Sequence, residues 1–134
     1  MSALFADTFY FLALLNPRDQ HHLHACQIPA QRTLHIVTTR AVLLEVADAF
    51  RAQGSRALAV ELLEALEADP TVTIVPLEDA LFARGVALYR DRTDKAWSLT
   101  DCISFLVMQD HRLSEALTGD RHFEQAGFTR LLGH

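Results

Sequence analysis

Four acidic residues in this chain sit where carboxylates could do chemistry: Asp7, Glu45, Asp101 and Asp120. Asp7 ends the short apolar stretch "LFAD", and Asp120 follows directly after an apolar stretch in "EALTGDRHF". Asp101 stands in "SLTDCISF", three residues after Ser98, the spacing at which a hydroxyl and a carboxylate close the first turn of a helix. Glu45 has Ala41, Val42, Asp48 and Ala49 three and four positions away, a small helix face that another element can approach closely. Taken singly, each has an ordinary explanation. Asp7 is a good helix N-cap, Asp101 half of a capping box, Asp120 a turn residue after Gly119, and Glu45 a solvated helix residue. Were a fold to bring all four together, it would need cations to offset their repulsion. Carboxylates ~5 Å apart repel by roughly 3 kcal/mol per pair at an effective dielectric near 20. Hard oxygen ligands of this kind suit Mg²⁺ or Mn²⁺.

The elements that must position these acids alternate. A strand at 4–7 leads into a helical pattern at 8–15, and "NPRDQ" starts a second helix with Asn16 as cap and Pro17 at its first position. The β-branched run 33–39 reads as a strand, followed by helical patterns at 40–52 and 55–69. A third strand at 71–77 precedes a helix at 78–90, a polar loop "DRTDKAW", and a helix from Ser98 to about residue 111. A fourth strand covers 115–118, with a possible fifth at 128–132. This order gives an α/β domain with a central parallel sheet of about four to five strands, covered by helices on both faces. In such sheets ligands bind outside the carboxyl ends of the strands, where Asp7 and Asp120 fall.

Composition narrows the class. The 134 residues are half hydrophobic and 22% charged, with five Gly and four Pro, consistent with one domain spanning 1–134. The opening "MSALFADTFYFLALL" has no basic residue before its apolar run and carries Asp7 inside it, which argues against a signal sequence. No run approaches the ~20 apolar residues of a membrane span. Cys26 and Cys102 stand apart in apolar contexts, as in a reducing compartment, so a cytoplasmic location is expected. The net charge of −5, with eleven Arg and one Lys, argues against broad nonspecific nucleic-acid binding.

The order of acids, with "DKAWSLTDCISF" and "ALTGDRHFEQAGF" as the most specific stretches, resembles the PIN-domain ribonucleases. The likeness is greatest to the VapC-type toxins of prokaryotic toxin–antitoxin pairs. It covers nearly the whole chain and implies a PIN-like fold and Mg²⁺- or Mn²⁺-dependent cleavage of RNA. It also implies Asp7, Glu45, Asp101 and Asp120 as the acidic quartet, and often a homodimer inhibited by a small antitoxin protein. Thr8, Ser98 and Thr118 match hydroxyl positions near the site of that family. A PIN-fold RNA- or protein-binding module without catalysis is the alternative. A phosphoacceptor receiver domain expects paired acids after the first strand, which Asp7 lacks, and a haloacid-dehalogenase-like phosphatase wants an acid where Phe9 stands.

Arg90, Arg92, Lys95 and Trp97 precede the Asp101 helix and could supply phosphate contacts and base stacking, although Trp97 reads equally as an anchor over the core. His122, two residues past Asp120, could touch a phosphate or leaving group, but a lone loop histidine is more often structural. "HHLH" at 21–24 has no acid or Cys in ligand spacing and reads as a solvated face.

Overall fold

The computed structural model describes residues 2–31 and 34–133. Five strands form one sheet: β1 (Ser2–Ala6), β2 (Leu34–Thr39), β3 (Val72–Val75), β4 (Glu115–Leu117) and β5 (Thr129–Arg130). Their order is β3-β2-β1-β4-β5 and every pairing is parallel. The crossovers are α1 (Thr8–Leu15) with α2 (His22–Gln31), α3 (Arg40–Ala49) with α4 (Arg56–Ala68), α5 (Asp79–Asp91) with α6 (Leu99–Asp110), and the short α7 (Arg121–Gln125). The sheet grows in two directions from its first strand. From β1 the chain winds outward to β2 and β3, then returns across the sheet to β4 on the other side of β1. The carboxyl ends of β1 and β4 therefore flank the topological switch point, where α/β sheets open a crevice.

β1 is the central strand, and Leu4, Phe5 and Ala6 are all fully buried, as expected for a parallel strand covered on both faces. α6 is almost as deep: Cys102, Ile103, Ser104, Phe105, Val107 and Met108 are buried. A chain of aromatic contacts joins these elements. Phe5 meets Phe123 at 6.1 Å between centroids, Phe123 meets Phe105 edge-on at 5.0 Å, and Phe105 meets Trp97 edge-on at 4.9 Å. Phe105 and Phe123 thereby pin α6 and α7 to the sheet, and with them the residues at their first turns.

The sequence-based boundaries shift at several points. Asn16 and Pro17 do not begin a helix. Asn16 instead closes α1, with its backbone N–H donating to Leu12 O, and α2 starts only at His22. The reason is local: Asn16 Oδ1 accepts from Arg18 N–H and Asp19 Oδ1 from His21 N–H, turn bonds that compete with a helix. The third strand is shorter than 71–77, the helix after β2 ends at Ala49 rather than 52, and α7 forms where only a loop is expected. Residue 33, the expected start of the second strand, lies outside the described residues.

α5 packs against α6 at Gly85, where an added Cβ would stand 2.6 Å from Ile103 Cγ1. That carbon belongs to a branched side chain only 2% exposed, so it has little room to yield. Gly85→Ala is expected to lower stability by ~1–3 kcal/mol through overpacking, reversing the ~1 kcal/mol gain that helix propensity alone would give. Urea unfolding of the variant checks the sign.

Candidate active site

Asp7 follows β1 and occupies the N-cap position of α1, but its side chain makes no capping bond. Its carboxylate instead turns to β4: Thr118 Oγ1 donates to Asp7 Oδ2 at 3.0 Å, and Asp7 N–H donates to Leu117 O at 3.3 Å. The end of β1 is held from the other flank too, where Thr38 of β2 donates its buried hydroxyl to Ala6 O at 2.8 Å. Asp7 is 5% exposed. Burial, reinforced by the charges of Asp101 and Asp120, pushes its carboxyl up to about 7 against the pull of the Thr118 hydroxyl and the Thr8 amide.

Asp101 does what its spacing with Ser98 predicts and more. The capping box is complete: Ser98 Oγ accepts from Asp101 N–H, and Asp101 Oδ2 accepts from Ser98 N–H, each at 3.0 Å. A crossover helix runs antiparallel to its strands, so the first turn of α6 comes to the carboxyl end of the sheet. There Asp101, 8% exposed, meets the loop after β4. In that loop Asp120 caps α7 through Oδ1, which accepts from His122 N–H at 2.9 Å. The Thr118 hydroxyl that serves Asp7 also accepts from Asp120 N–H at 3.1 Å, so one buried side chain orients both acids.

His122 is the residue that sequence reasoning undervalued. Its Nδ1 lies 2.9 Å from Asp101 Oδ2 and 3.4 Å from Asp120 Oδ1. Its signal was its place on the first turn after the Asp120 cap, from which a helical side chain points back toward the N-terminus. Asp101, Asp120 and His122 each offer a ligand atom within 4.8 Å of the others, a grouping that no other His, Cys, Asp or Glu residues make among the described residues. "HHLH" forms no such group. His21 lies ahead of α2 and packs its ring 5.0 Å from Phe9, and His22 Nδ1 sits 2.8 Å from Ala13 O.

Glu45 reaches the site's edge through a different partner. It is half-buried on α3, and its Oε1 accepts from Thr8 Oγ1 at 2.5 Å. It is thus tied to the residue next to Asp7, while the charges acting on Asp7 are those of Asp101 and Asp120. Phe9, next along, lies over the loop after β4: a Cβ on Gly119 would stand 2.4 Å from the Phe9 ring.

Trp97 is an anchor. The residue is 7% exposed, its ring packs on Phe105, and its Nε1–H donates to Gln125 at 3.0 Å, which ties the loop before α6 to α7. That burial leaves little of the ring for a base. Arg92 lies over the ring at 4.8 Å and pairs with Asp94, while Arg90 pairs with Asp91 at the surface. Arg90, Arg92, Lys95 and Trp97 line an open depression of about 870 Å³ that reaches Ser98, the cap of the Asp101 helix.

The donor set fits a divalent cation. Three aspartates share one end of the sheet with no Arg or Lys paired to them among the described residues, and the deepest is driven toward protonation. An unfolded aspartate titrates near 3.8 and folded Asp7 near 7, so between those values the folded chain holds a proton the unfolded chain has lost. The stability contributed by protonated Asp7 is full below the lower value and is lost as pH rises through the upper one. In EDTA, the stability of the protein relative to Asp7→Asn is therefore expected to fall between about pH 4 and about pH 7. Urea unfolding of both proteins across that range measures it.

Comparison with known proteins bears on the fold. The chain is similar to the crystal structure of VapC20 from Mycobacterium tuberculosis, a toxin that cleaves the sarcin–ricin loop. Identity is 24%, covering 98% of this chain and 99% of that one, with a TM-score of 0.87. FitAcB from Neisseria gonorrhoeae is 18% identical over 95% of each chain, with a TM-score of 0.66. VapBC2 from Rickettsia felis, solved bound to a DNA fragment from their promoter, is 10% identical over 96% of this chain and 97% of that one, with a TM-score of 0.67. No curated protein sequence matches significantly. The PIN domain family model matches residues 4–129, and the chain belongs to that family.

Proposed function

We propose that this protein is a metal-dependent endoribonuclease, the toxin of a toxin–antitoxin pair, with Asp7, Asp101, Asp120 and Glu45 as its acidic site. The observation that carries the reading is the meeting of Asp7, Asp101 and Asp120 at the switch point, with Thr118 orienting two of them. Family membership and the likeness to a toxin that cleaves the sarcin–ricin loop support a ribonuclease. The likeness to VapBC2 supports an antitoxin partner. A homodimer and a cytoplasmic location belong to the same proposal; no helix among the described residues is long and apolar enough to cross a membrane.

Asp7, Asp101 and Asp120 would hold Mg²⁺ or Mn²⁺, with Glu45 at the margin. The ion would supply charge neutralisation at the scissile phosphate and a more acidic attacking water. The chain's own residues do the positioning. Thr118 and the Thr8 amide favour the charged form of Asp7, the form able to bind a cation. Thr8 fixes the rotamer of Glu45. Ser98 fixes the backbone at Asp101, so that carboxylate is placed before any ligand arrives. Arg90, Arg92 and Lys95, along the depression that leads to Ser98, would meet the RNA backbone.

RNA cleavage is expected with Mg²⁺ or Mn²⁺, to stop in excess EDTA, and to be abolished by Asp7→Asn. Cleavage undiminished by EDTA defeats the metal mechanism. A folded protein that binds RNA or protein but cleaves nothing with either ion supports the binding-module alternative.

Asp101→Asn separates cap from catalysis. Ser98 remains the N-cap, and Asn at the third helical position keeps an oxygen for Ser98 N–H, so stability should change by about 1 kcal/mol or less. Cleavage should be lost, and the rise in melting temperature that Mg²⁺ gives the unaltered protein should shrink. Retained cleavage with an equal Mg²⁺ shift would leave Asp101 an ordinary cap.

A further inference from the structure

The His122 imidazole stands inside the acidic cluster rather than beside it. The residue is held at the first turn of α7 between two fixed points: its backbone N–H, which donates to Asp120 Oδ1, and the fully buried Phe123 that follows. Two oxygen atoms from different elements face the same ring nitrogen, at 2.9 Å and 3.4 Å. Neighbouring ligands of an octahedral ion, each about 2.1 Å from it, stand about 3 Å apart. The separations of Nδ1 from Asp101 Oδ2 and Asp120 Oδ1 are close to that spacing, so one ion can be reached by all three atoms with little movement. The side chain is 29% exposed, so the ring can pass the Nδ1 proton to solvent, keep the neutral ring's proton on Nε2, and offer the Nδ1 lone pair to an ion in place of its present hydrogen bonds.

Resting on the reading of this cluster as a metal site, we infer that His122 is a nitrogen ligand of the bound cation and biases the site toward Mn²⁺ over Mg²⁺. The chemistry is that of ligand softness. Carboxylate oxygens serve both ions, whereas imidazole favours first-row transition metals and adds little for Mg²⁺. The rival role is a hydrogen-bond donor that merely occupies the carboxylates until an ion displaces it. The two roles predict opposite effects when the ring nitrogen is removed.

The test uses isothermal titration of Mn²⁺ and, separately, Mg²⁺ into the metal-free protein, His122→Phe, His122→Asn and Asp101→Asn, with circular dichroism to verify folding. Pulsed electron paramagnetic resonance of the Mn²⁺-loaded proteins reads ¹⁴N coupling directly. The unaltered protein should bind Mn²⁺ with a directly bound nitrogen. His122→Phe should lose that coupling and about tenfold in Mn²⁺ affinity, with less than about a threefold change for Mg²⁺. His122→Asn should lose the coupling too and bring the two affinities together. Absence of nitrogen coupling in the unaltered protein, or equal changes for both ions in His122→Phe, overturns the assignment of His122 while leaving the acidic site intact. Absent Mn²⁺ binding removes the metal site and this inference with it; binding unaffected by Asp101→Asn takes Asp101 out of the ligand set and overturns the geometry that places His122 on the ion.

Discussion

Everything at the candidate site depends on β1 being clamped between β2 and β4. Parallel pairing leaves no tight turn to set register, so register here is fixed by burial of Leu4, Phe5 and Ala6 on both faces. The clamp is then locked at its carboxyl end by three polar contacts: the Thr38 hydroxyl on Ala6 O, Asp7 N–H on Leu117 O, and the Thr118 hydroxyl on Asp7. A one-residue slip would turn Asp7 toward the opposite face and separate it from Thr118. The apolar strand and the polar site are thus two ends of one constraint.

A second layer brings in the acids that β1 cannot reach. Phe105 and Phe123 meet edge-on beneath the site, each on the helix that presents an aspartate at its first turn. Their packing sets where α6 and α7 begin, and the capping bonds at Ser98 and Asp120 set how the carboxylates emerge. Trp97 closes this layer through Gln125. The raised titration of Asp7 marks chiefly its burial in this apolar framework, to which the charges of Asp101 and Asp120 add.

The sequence made much of this legible because its signals were periodic or paired. The β-branched run before Arg40, the apolar run after Asp101 and the Ser98–Asp101 spacing each report a local physical rule, and each element lies where that rule puts it, within a few residues. What escaped was set by tertiary partners or by competing local bonds. The Asn16 and Asp19 turns displaced the start of α2, and α7 is too short for periodicity to reveal. Trp97 had two readings until Phe105 and Gln125 were in place around it. His122 looked solitary because its partner Asp101 lies 21 residues earlier in the chain. Glu45 shows the converse: its small helix face does admit a neighbour, but the neighbour it bonds is Thr8.

Gly119 has no functional group, yet the ring of Phe9 fills the space where any other residue would carry its first side-chain carbon. Phe9 adjoins Thr8, and Thr8 holds Glu45, while Gly119 itself separates Thr118 from Asp120. For an evolving lineage, any side chain at this position must displace the Phe9 ring. A change there would be read out at both ends of the site at once, and would be absorbed by a swing of the half-exposed ring or a loss of bulk at position 9.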